Sequence, residues 1–342
     1  MTASDDCATL LRRGSRTFFL ASRLLPIHVR QPAEALYGFC RLADDAIDIG
    51  DPEDAQLRLT DLEHRLDLAY AGTPRNIPAD RAFAVLVAEY AIPRALPQGL
   101  LEGFAWDAEK RRYEDLDALH AYGVRVAGTV GAMMAMIMGV RDPAMVARAS
   151  DLGVAMQLTN IVRDIGEDAR ANRIYLPLQW LHAAGIDPDT WIRQPCFDER
   201  LTQPIARLLH AADALYDSAR AGISALPFGL RSGIRAAALL YREIGVEVAR
   251  RDFDSVNSRA VVPTRRQLVL LARSVAAPHW APAIDSSVMP AAQFLVDAVG
   301  AAPNPSARPG GIEWVVELFA RLEERERAMV HERPRRGQIA SA

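Results

Sequence analysis

Two short stretches of the sequence concentrate residue types that can bind cations. Residues 156–177, MQLTNIVRDIGEDARANRIYLP, begin with the apolar periodicity of a helix. Along it, intervals of three, four and four residues separate Gln157, Asn160, Asp164 and Asp168. This spacing puts the four side chains on one helix face, beside residues that should be buried. Carboxylates and amides in such a place destabilise a fold unless they have partners, so they are typical of a functional site.

The second stretch, residues 37–48 (YGFCRLADDAID), has a similar design. Asp44 and Asp48 are four residues apart on one helix face, and Arg41 lies one turn earlier. Asp45 is rotated by about 100° from them. If the two helices face each other across a cavity, four carboxylates converge, and they cannot all stay ionised without cations.

Hard oxygen ligands without a His or Cys pattern favour Mg²⁺ over zinc, with Mn²⁺ as an alternative. Mg²⁺ held by a few carboxylates usually completes its shell with water and substrate phosphate oxygens. The two stretches therefore predict a diphosphate substrate.

The composition indicates a globular protein. The 342 residues are 50% hydrophobic and 24% charged, and the net charge of −3 gives no basic field for nucleic acid. Cys7, Cys40 and Cys196 have no metal-site or disulfide spacing, which favours a reducing cytoplasm. We expect no signal peptide and no membrane span, because the longest apolar run (residues 130–140) is well short of about 20 residues.

No stretch alternates as a strand does, so the predicted fold is all-α, a helical bundle around a central cavity. We predict one helical domain over residues 1–330 and a disordered tail over residues 331–342. A long helix is expected over residues 116–139, in which three glycines indicate either close helix packing or room for a ligand. Its methionines (Met133, Met134, Met136 and Met138) are expected in the core or in a substrate pocket.

The roles of some other polar residues can be interpreted in two ways. Ser15 is expected either to cap a helix or to lie beside a phosphate. Arg259, Arg265 and Arg266 are candidate phosphate ligands, of which one is expected to act so. Asp107 is expected at the surface, although it could hold an outer cation.

The motifs resemble those of the squalene/phytoene synthase family of head-to-head prenyl transferases. The resemblance is specific at GSRTFFLASRLLP, YGFCRLADDAID, YGVRVAGTVG and QLTNIVRDIGEDARANRIYLP, and it covers residues 15–264. It implies that Asp44, Asp48, Asp164 and Asp168 hold Mg²⁺ against two diphosphates. It implies that the diphosphates are contacted by Ser15, Arg41, Gln157, Asn160, Arg163 and Arg259, and that Tyr122 and Tyr241 line the ionisation region. Gly14 departs from the family pattern, in which His or Thr often precedes the serine.

The branch most similar to this chain is that of the bacterial phytoene synthases. The resemblance implies Mg²⁺-dependent condensation of two geranylgeranyl diphosphates to phytoene through prephytoene diphosphate, the first committed step of carotenoid biosynthesis. NADPH is not expected, and peripheral membrane contact is left open for the lipophilic product, as is the oligomeric state. The alternatives are a farnesyl diphosphate-using dehydrosqualene or squalene synthase, a non-catalytic assembly-factor relative, and a head-to-tail synthase.

Overall fold

The computed structural model describes residues 3–48, 54–276 and 283–304, and every regular element in them is helical. The elements before the central motif are α1 (Ala3–Gly14), α2 (Arg16–Ser22), α3 (Ile27–Asp48), α4 (Ala55–Tyr70), α5 (Pro78–Glu89), α6 (Ala95–Ala108), α7 (Leu116–Gly123) and α8 (Thr129–Ile137). The elements after it begin with α9 (Pro143–Arg170) and continue with α10 (Leu178–Ala183), α11 (Pro188–Trp191), α12 (Thr202–Ala225), α13 (Phe228–Ala249), α14 (Thr264–Ala276) and α15 (Gln293–Ala301). Short 3₁₀ turns at Glu199–Leu201 and Pro290–Ala292 precede α12 and α15. The predicted all-α fold is confirmed.

The 28-residue helix α9 carries the central motif through the core. The side chain of Asp142 caps it by accepting from the Met145 N–H at 3.0 Å, and Pro143 occupies its first turn. Its inner residues, including Val154, Leu158 and Val162, are fully buried. Burial of this apolar stripe holds in place the polar stripe beside it.

Neighbouring helices approach α9 closely on two sides. On the α8 side, a methyl group on Gly131 would collide with the Ala149 carbonyl, so the glycine is needed for packing. On the α12 side, the hydroxyls of Thr159 and Tyr216 lie 3.0 Å apart within hydrogen-bonding distance. Close helix packing, one of the two roles expected for the glycines, is therefore observed. Gly131 also lines the cavity described below.

The helix predicted over residues 116–139 is interrupted by a π-helical turn at Val124–Gly128 between α7 and α8. The Thr129 N–H donates to the carbonyl of Val124, five residues back, and the Thr129 hydroxyl donates to the Arg125 carbonyl at 2.6 Å. Such turns are frequent at functional sites because the extra residue rotates the helix surface. This one begins two residues after Tyr122.

The described residues up to Ala302 form one compact unit. The predicted domain boundary at residue 330, the tail and the side chain of Asp48 lie outside what is described. In the described part of the chain, no helix is long and apolar enough to cross a bilayer.

Candidate active site

A cavity of about 750 Å³ lies between α2, α3, α6, α8, α9, α12 and α13. Its apolar wall includes Leu100, Phe104, Val130, Met134, Met138 and Leu226. Of the four methionines singled out in the sequence, Met134 and Met138 line the cavity, whereas Met133 and Met136 are buried in the core. The methionine cluster is therefore divided between the two expected roles.

Eleven of the twelve predicted site residues line this cavity. They are Ser15, Arg41, Asp44, Tyr122, Gln157, Asn160, Arg163, Asp164, Asp168, Tyr241 and Arg259. The twelfth, Asp48, ends α3, and its side chain is not described. The two Asp helices thus contribute to one cavity, as the sequence predicted.

Two guanidinium groups hold the Asp164 carboxylate. Arg163 donates from Nε at 2.8 Å and from Nη2 at 2.5 Å, in bidentate geometry. Arg259 lies on the same carboxylate, with Nε 2.8 Å from Oδ1 and Nη2 3.2 Å from Oδ2. Among the three candidate arginines, Arg259 is therefore the one at the site, because Arg266 pairs with Glu243 at 2.7 Å and Arg265 is not among the cavity residues.

The carboxyl group of Asp168 lies one turn beyond Asp164 in a different environment. Burial raises its pKa to about 8, and the negative charge of Asp164 adds to the shift. Arg173, from the loop after α9, opposes the shift and also lines the cavity. A buried carboxyl group beside another carboxylate is a place where an additional cation would be strongly favoured.

The first Asp motif has its own internal arginine. Arg41 reaches Asp45 from Nη2 at 2.6 Å and Asp44 from Nη1 at 3.3 Å, so one guanidinium spans both carboxylates. Asp45 is rotated away from Asp44 along the helix, as predicted, and it is not among the cavity residues. Arg41 and Asp44 are each about 40% exposed, so a ligand can reach both side chains and replace their ion pair.

Tyr37 and Tyr241 join the two motifs across the cavity. Burial raises the pKa of Tyr37 to about 12, and it is close enough to feel the charges of Arg41 and Asp44. Burial also raises the pKa of Tyr241, which is hydrogen-bonded to Ser15. Ser15 has both expected properties, since its Oγ also accepts from the Phe18 N–H at 3.2 Å as the cap of α2.

The departure at Gly14 has a steric reason. A Cβ atom at this position would overlap the hydroxyl of Tyr37. Glycine therefore lets the Tyr37 ring lie against the end of α1, next to Ser15. A larger residue would require the Tyr37 hydroxyl to move.

Asp107 is part of the site, and its expected surface role was wrong. Its Oδ2 accepts from the Tyr122 hydroxyl at 2.9 Å, and its Oδ1 accepts from the Tyr175 hydroxyl at 2.7 Å. The ring of Tyr113 packs on both tyrosines, 5.1 and 6.2 Å from their centroids. Burial raises the pKa of Tyr122 and Tyr175, as does the charge of Asp107, so both hydroxyls remain protonated donors.

Sequence reasoning missed Tyr37 and favoured the surface for Asp107, although both line the cavity. Tyr37 is one turn before Arg41 on the same helix, so the spacing that singled out Asp44 could have included it. Asp107 has no such signal, because its partners are 15 and 68 residues away in the chain.

The donor set fits a magnesium ion. Within the described ranges, no three His, Cys, Asp or Glu side chains form a closed metal site. Mg²⁺ commonly uses one or two carboxylates together with substrate phosphates and water, so an open set is suitable. The buried Oδ1 of Asn160 has no hydrogen-bond partner, and the raised pKa of Asp168 indicates a place where positive charge would be favoured.

Solved structures share this fold. A dehydrosqualene synthase is 30% identical, with a TM-score of 0.72 over 80% of this chain and 95% of that chain. A squalene synthase from Alicyclobacillus acidocaldarius is 28% identical, with a TM-score of 0.66 over 73% of this chain and 94% of that chain. The fold and the cavity therefore define a helical isoprenoid synthase.

The family follows from the sequence comparison. The family model for squalene/phytoene synthase matches residues 11–267, and the chain belongs to that family, as its motifs predicted. A phytoene synthase from Cereibacter sphaeroides is 45% identical over 96% of both chains. One from Rhodobacter capsulatus is 44% identical over 95% of this chain and 97% of the relative.

Proposed function

We propose that this protein condenses two molecules of geranylgeranyl diphosphate head to head, forming phytoene through prephytoene diphosphate in an Mg²⁺-dependent reaction. The observation that carries this proposal is the 45% identity to the Cereibacter sphaeroides phytoene synthase over nearly the whole length of both chains. The cavity supports it, because one side is apolar and the other carries the carboxylates and arginines that a diphosphate needs.

The arginines at the cavity would bind the diphosphates. Arg41, Arg163 and Arg259 are now paired with carboxylates of the two Asp motifs. Guanidinium matches phosphate oxygens in the same bidentate geometry that it uses on a carboxylate. Substrate binding would therefore transfer these arginines from aspartate to phosphate, with Ser15, Gln157 and Asn160 adding uncharged contacts.

The carboxylates released by that exchange would hold the metal. Asp44 and Asp164 would be released in this way. Asp168, and Asp48 as the sequence predicts, would join them as metal ligands. When bound, Mg²⁺ supplies positive charge that neutralises the leaving diphosphate. The arginines add to this neutralisation at atoms that the protein holds in place before the reaction.

The apolar wall would protect the reacting carbons. When the carbon–oxygen bond of the first substrate breaks, both bonding electrons leave on the diphosphate and an allylic cation remains. Attack by the double bond of the second substrate and loss of a proton give the cyclopropyl intermediate. Side chains such as Phe104, Val130 and Met134 exclude water, which would otherwise capture the cation.

Tyr122 and Tyr241 would act as neutral hydroxyl groups. Their pKa values are raised by burial, so neither is a phenolate base at neutral pH. Tyr122 is oriented by Asp107, and Tyr241 by the Ser15 hydroxyl. Their role in this proposal is to orient the diphosphate and to place a polar group beside the ionising carbon.

The test is incubation of purified protein with geranylgeranyl diphosphate and Mg²⁺, without NADPH, followed by chromatography and mass analysis. We expect a C40 hydrocarbon with the central triene of phytoene, and no product when a chelator removes the metal. Asp164→Asn should lower product formation by at least about 10²-fold, as loss of a preorganised electrostatic group does. Asp198→Asn, a surface carboxylate paired with Arg200 at 2.6 Å, is the matched control.

The second candidate is the same reaction on farnesyl diphosphate, giving dehydrosqualene or squalene. The observation that favours it is the 30% identity to a dehydrosqualene synthase with a TM-score of 0.72. A C30 hydrocarbon from farnesyl diphosphate and no C40 product would establish it. No product from either substrate, by folded protein, would instead favour the assembly-factor relative.

A further inference from the structure

Three segments around α2, α13 and α14 contain no acidic residue. Residues 15–33, 218–242 and 255–276 contain three, four and four arginines, eleven in all, although the whole chain has a net charge of −3. In space, α2 and the turn after it pack on α13, where Ala21 and Leu25 lie against Gly233, and α13 packs on α14. These segments are called the basic flank.

The basic flank also carries most of the exposed apolar surface. Nine large apolar side chains are exposed in the described residues, and six of them belong to the flank. The six are Ile27, Phe228, Val261, Leu268, Val269 and Val275. Exposed apolar residues scattered singly need no explanation, but their concentration among arginines does.

Helix α14 provides the clearest part of this surface. It runs antiparallel to α13, because Arg266 pairs with Glu243 at 2.7 Å while Arg235 donates to the Ser274 carbonyl at 3.0 Å. Its inner residues, Gln267, Leu270 and Ser274, are buried against α13. Its outer face presents Arg265, Leu268, Val269, Arg273 and Val275, and both Leu268 and Val275 are 62% exposed.

Two turns near the N-terminal end of α13 extend this surface. Ile27 follows the turn between α2 and α3, and Phe228 follows the turn between α12 and α13; they are 51% and 70% exposed. Pro26 lies against Gly229, which brings the two turns together. The adjacent residues Leu25 and Leu226 point inward and line the apolar part of the cavity.

We propose that the basic flank docks on a bilayer that contains anionic phospholipid. Leu268, Val275 and Phe228 would enter the headgroup region, while Arg265 and Arg273 would contact lipid phosphate. Basic residues around exposed apolar side chains are the usual composition of such interfacial surfaces. Four arginines of the flank (Arg30, Arg242, Arg259 and Arg266) pair with acidic residues outside the three segments, so the attraction rests on the others, among them Arg265 and Arg273.

Charge favours a lipid over two other occupants. A second copy using the same face would oppose two arginine-rich surfaces, because the contact of a two-fold dimer is self-complementary. Residues 305–342 of this chain carry seven arginines and six glutamates, so they offer no excess of negative charge. A bilayer with anionic headgroups complements both the charge and the apolar residues.

The purpose of this docking rests on the proposed function, whereas the observations that define the surface do not depend on it. Because Leu25 and Leu226 separate the cavity from the exposed turns, docking would bring the apolar end of the cavity to the lipid. A hydrocarbon product could then leave without crossing water. The substrate, which has both a long apolar chain and a charged head, could reach the cavity from the same bilayer.

The test is flotation of the full-length protein with vesicles, in the absence of substrate. One set of vesicles is phosphatidylcholine alone, and the other includes a minority of phosphatidylglycerol. We expect binding to the anionic vesicles that weakens with added salt, and little binding to the neutral ones. Arg265→Glu with Arg273→Glu should weaken it by at least about fivefold per arginine.

Matched controls separate this surface from general surface effects. Leu268→Asp with Val275→Asp should lower vesicle binding at least as much as the arginine changes. Leu57→Asp with Val85→Asp changes residues that are 70% and 63% exposed elsewhere, and should leave binding unchanged. Circular dichroism verifies that each variant is folded, and turnover of detergent-dispersed geranylgeranyl diphosphate tests the proposed function separately.

Three results would overturn the proposal. The first is wild-type protein that ignores anionic vesicles or binds neutral ones equally well. The second is equal loss of binding in the control variants. The third is a wild-type dimer that the Leu268→Asp and Val275→Asp changes convert to a monomer in light scattering, because the face would then belong to a second copy.

Discussion

Replacing Asp107 by asparagine tests whether this carboxylate positions the tyrosines of the cavity. Asp107 accepts hydrogen bonds from Tyr122 at 2.9 Å and from Tyr175 at 2.7 Å. A hydrogen bond to a charged group contributes about 1.5–3 kcal/mol, and a neutral one about 0.5–1.5 kcal/mol. Asparagine keeps one acceptor oxygen and presents an amide group to the other hydroxyl. We therefore expect the unfolding free energy to fall by about 1–3 kcal/mol.

The effect on activity should exceed the effect on stability. Tyr122 lines the cavity, and a displacement of about 1 Å can lower a rate by 10²-fold. We expect Asp107→Asn to reduce hydrocarbon formation by about this factor while the protein remains folded. The assays are urea unfolding and product formation on the same preparations.

A double-mutant cycle separates positioning from simple loss of a contact. Tyr122→Phe removes one donor, so the second change at Asp107 should then cost about 1 kcal/mol less than it does alone. Asp189→Asn is the matched control, because Asp189 accepts from Arg112 at 2.6 Å but is exposed, and such pairs contribute about 0–1 kcal/mol. If Asp107→Asn behaves like Asp189→Asn in both assays, the positioning argument is wrong.

Three further measurements follow from packing and burial. Gly131→Ala should lower the free energy of unfolding by about 1–3 kcal/mol, because the added methyl group meets a backbone carbonyl. Gly300→Ala has open space and should raise it by up to about 1 kcal/mol. Equal urea midpoints for the two variants would contradict this. Burial raises the pKa of Cys40 to about 12, so iodoacetamide near pH 8 should alkylate exposed Cys196 and leave Cys40 unmodified, as peptide mass analysis would record. Burial lowers the pKa of His120, so the unfolded state binds its proton first as the pH falls below about 6.5. The unfolding free energy should then decrease with falling pH, less so in His120→Gln, and equal pH dependence of the two would refute this.

Regular spacing was sufficient to predict the parts of the site that lie on single helices. Gln157, Asn160, Asp164 and Asp168 line one cavity because the helical repeat fixes their common face once the neighbouring apolar residues are buried. The same reasoning placed Asp44 with Arg41. These predictions need only the geometry of a helix, which the local sequence determines.

Helical spacing could not predict contacts between residues that are far apart in the sequence. Asp107 is one acidic residue near the end of a helix, and nothing in its neighbourhood indicates that Tyr175 donates to it. Arg259 and Arg266 are both arginines in the same polar segment, yet one lies on Asp164 and the other on Glu243. Tertiary packing decides between them, because it determines which carboxylate each guanidinium can reach.

The protein's own arginines meet part of the charge repulsion that the sequence predicted between its carboxylates. The acidic motifs were expected to need cations, and Arg41 and Arg163 provide them within the same motifs, while Arg259 adds a third from a distant loop. The arginine neighbours therefore serve two purposes. They keep the carboxylates from repelling one another before binding, and they are already at the cavity when a diphosphate arrives. Asp168 differs from these carboxylates, because burial and the charge of Asp164 raise its pKa although Arg173 opposes the shift.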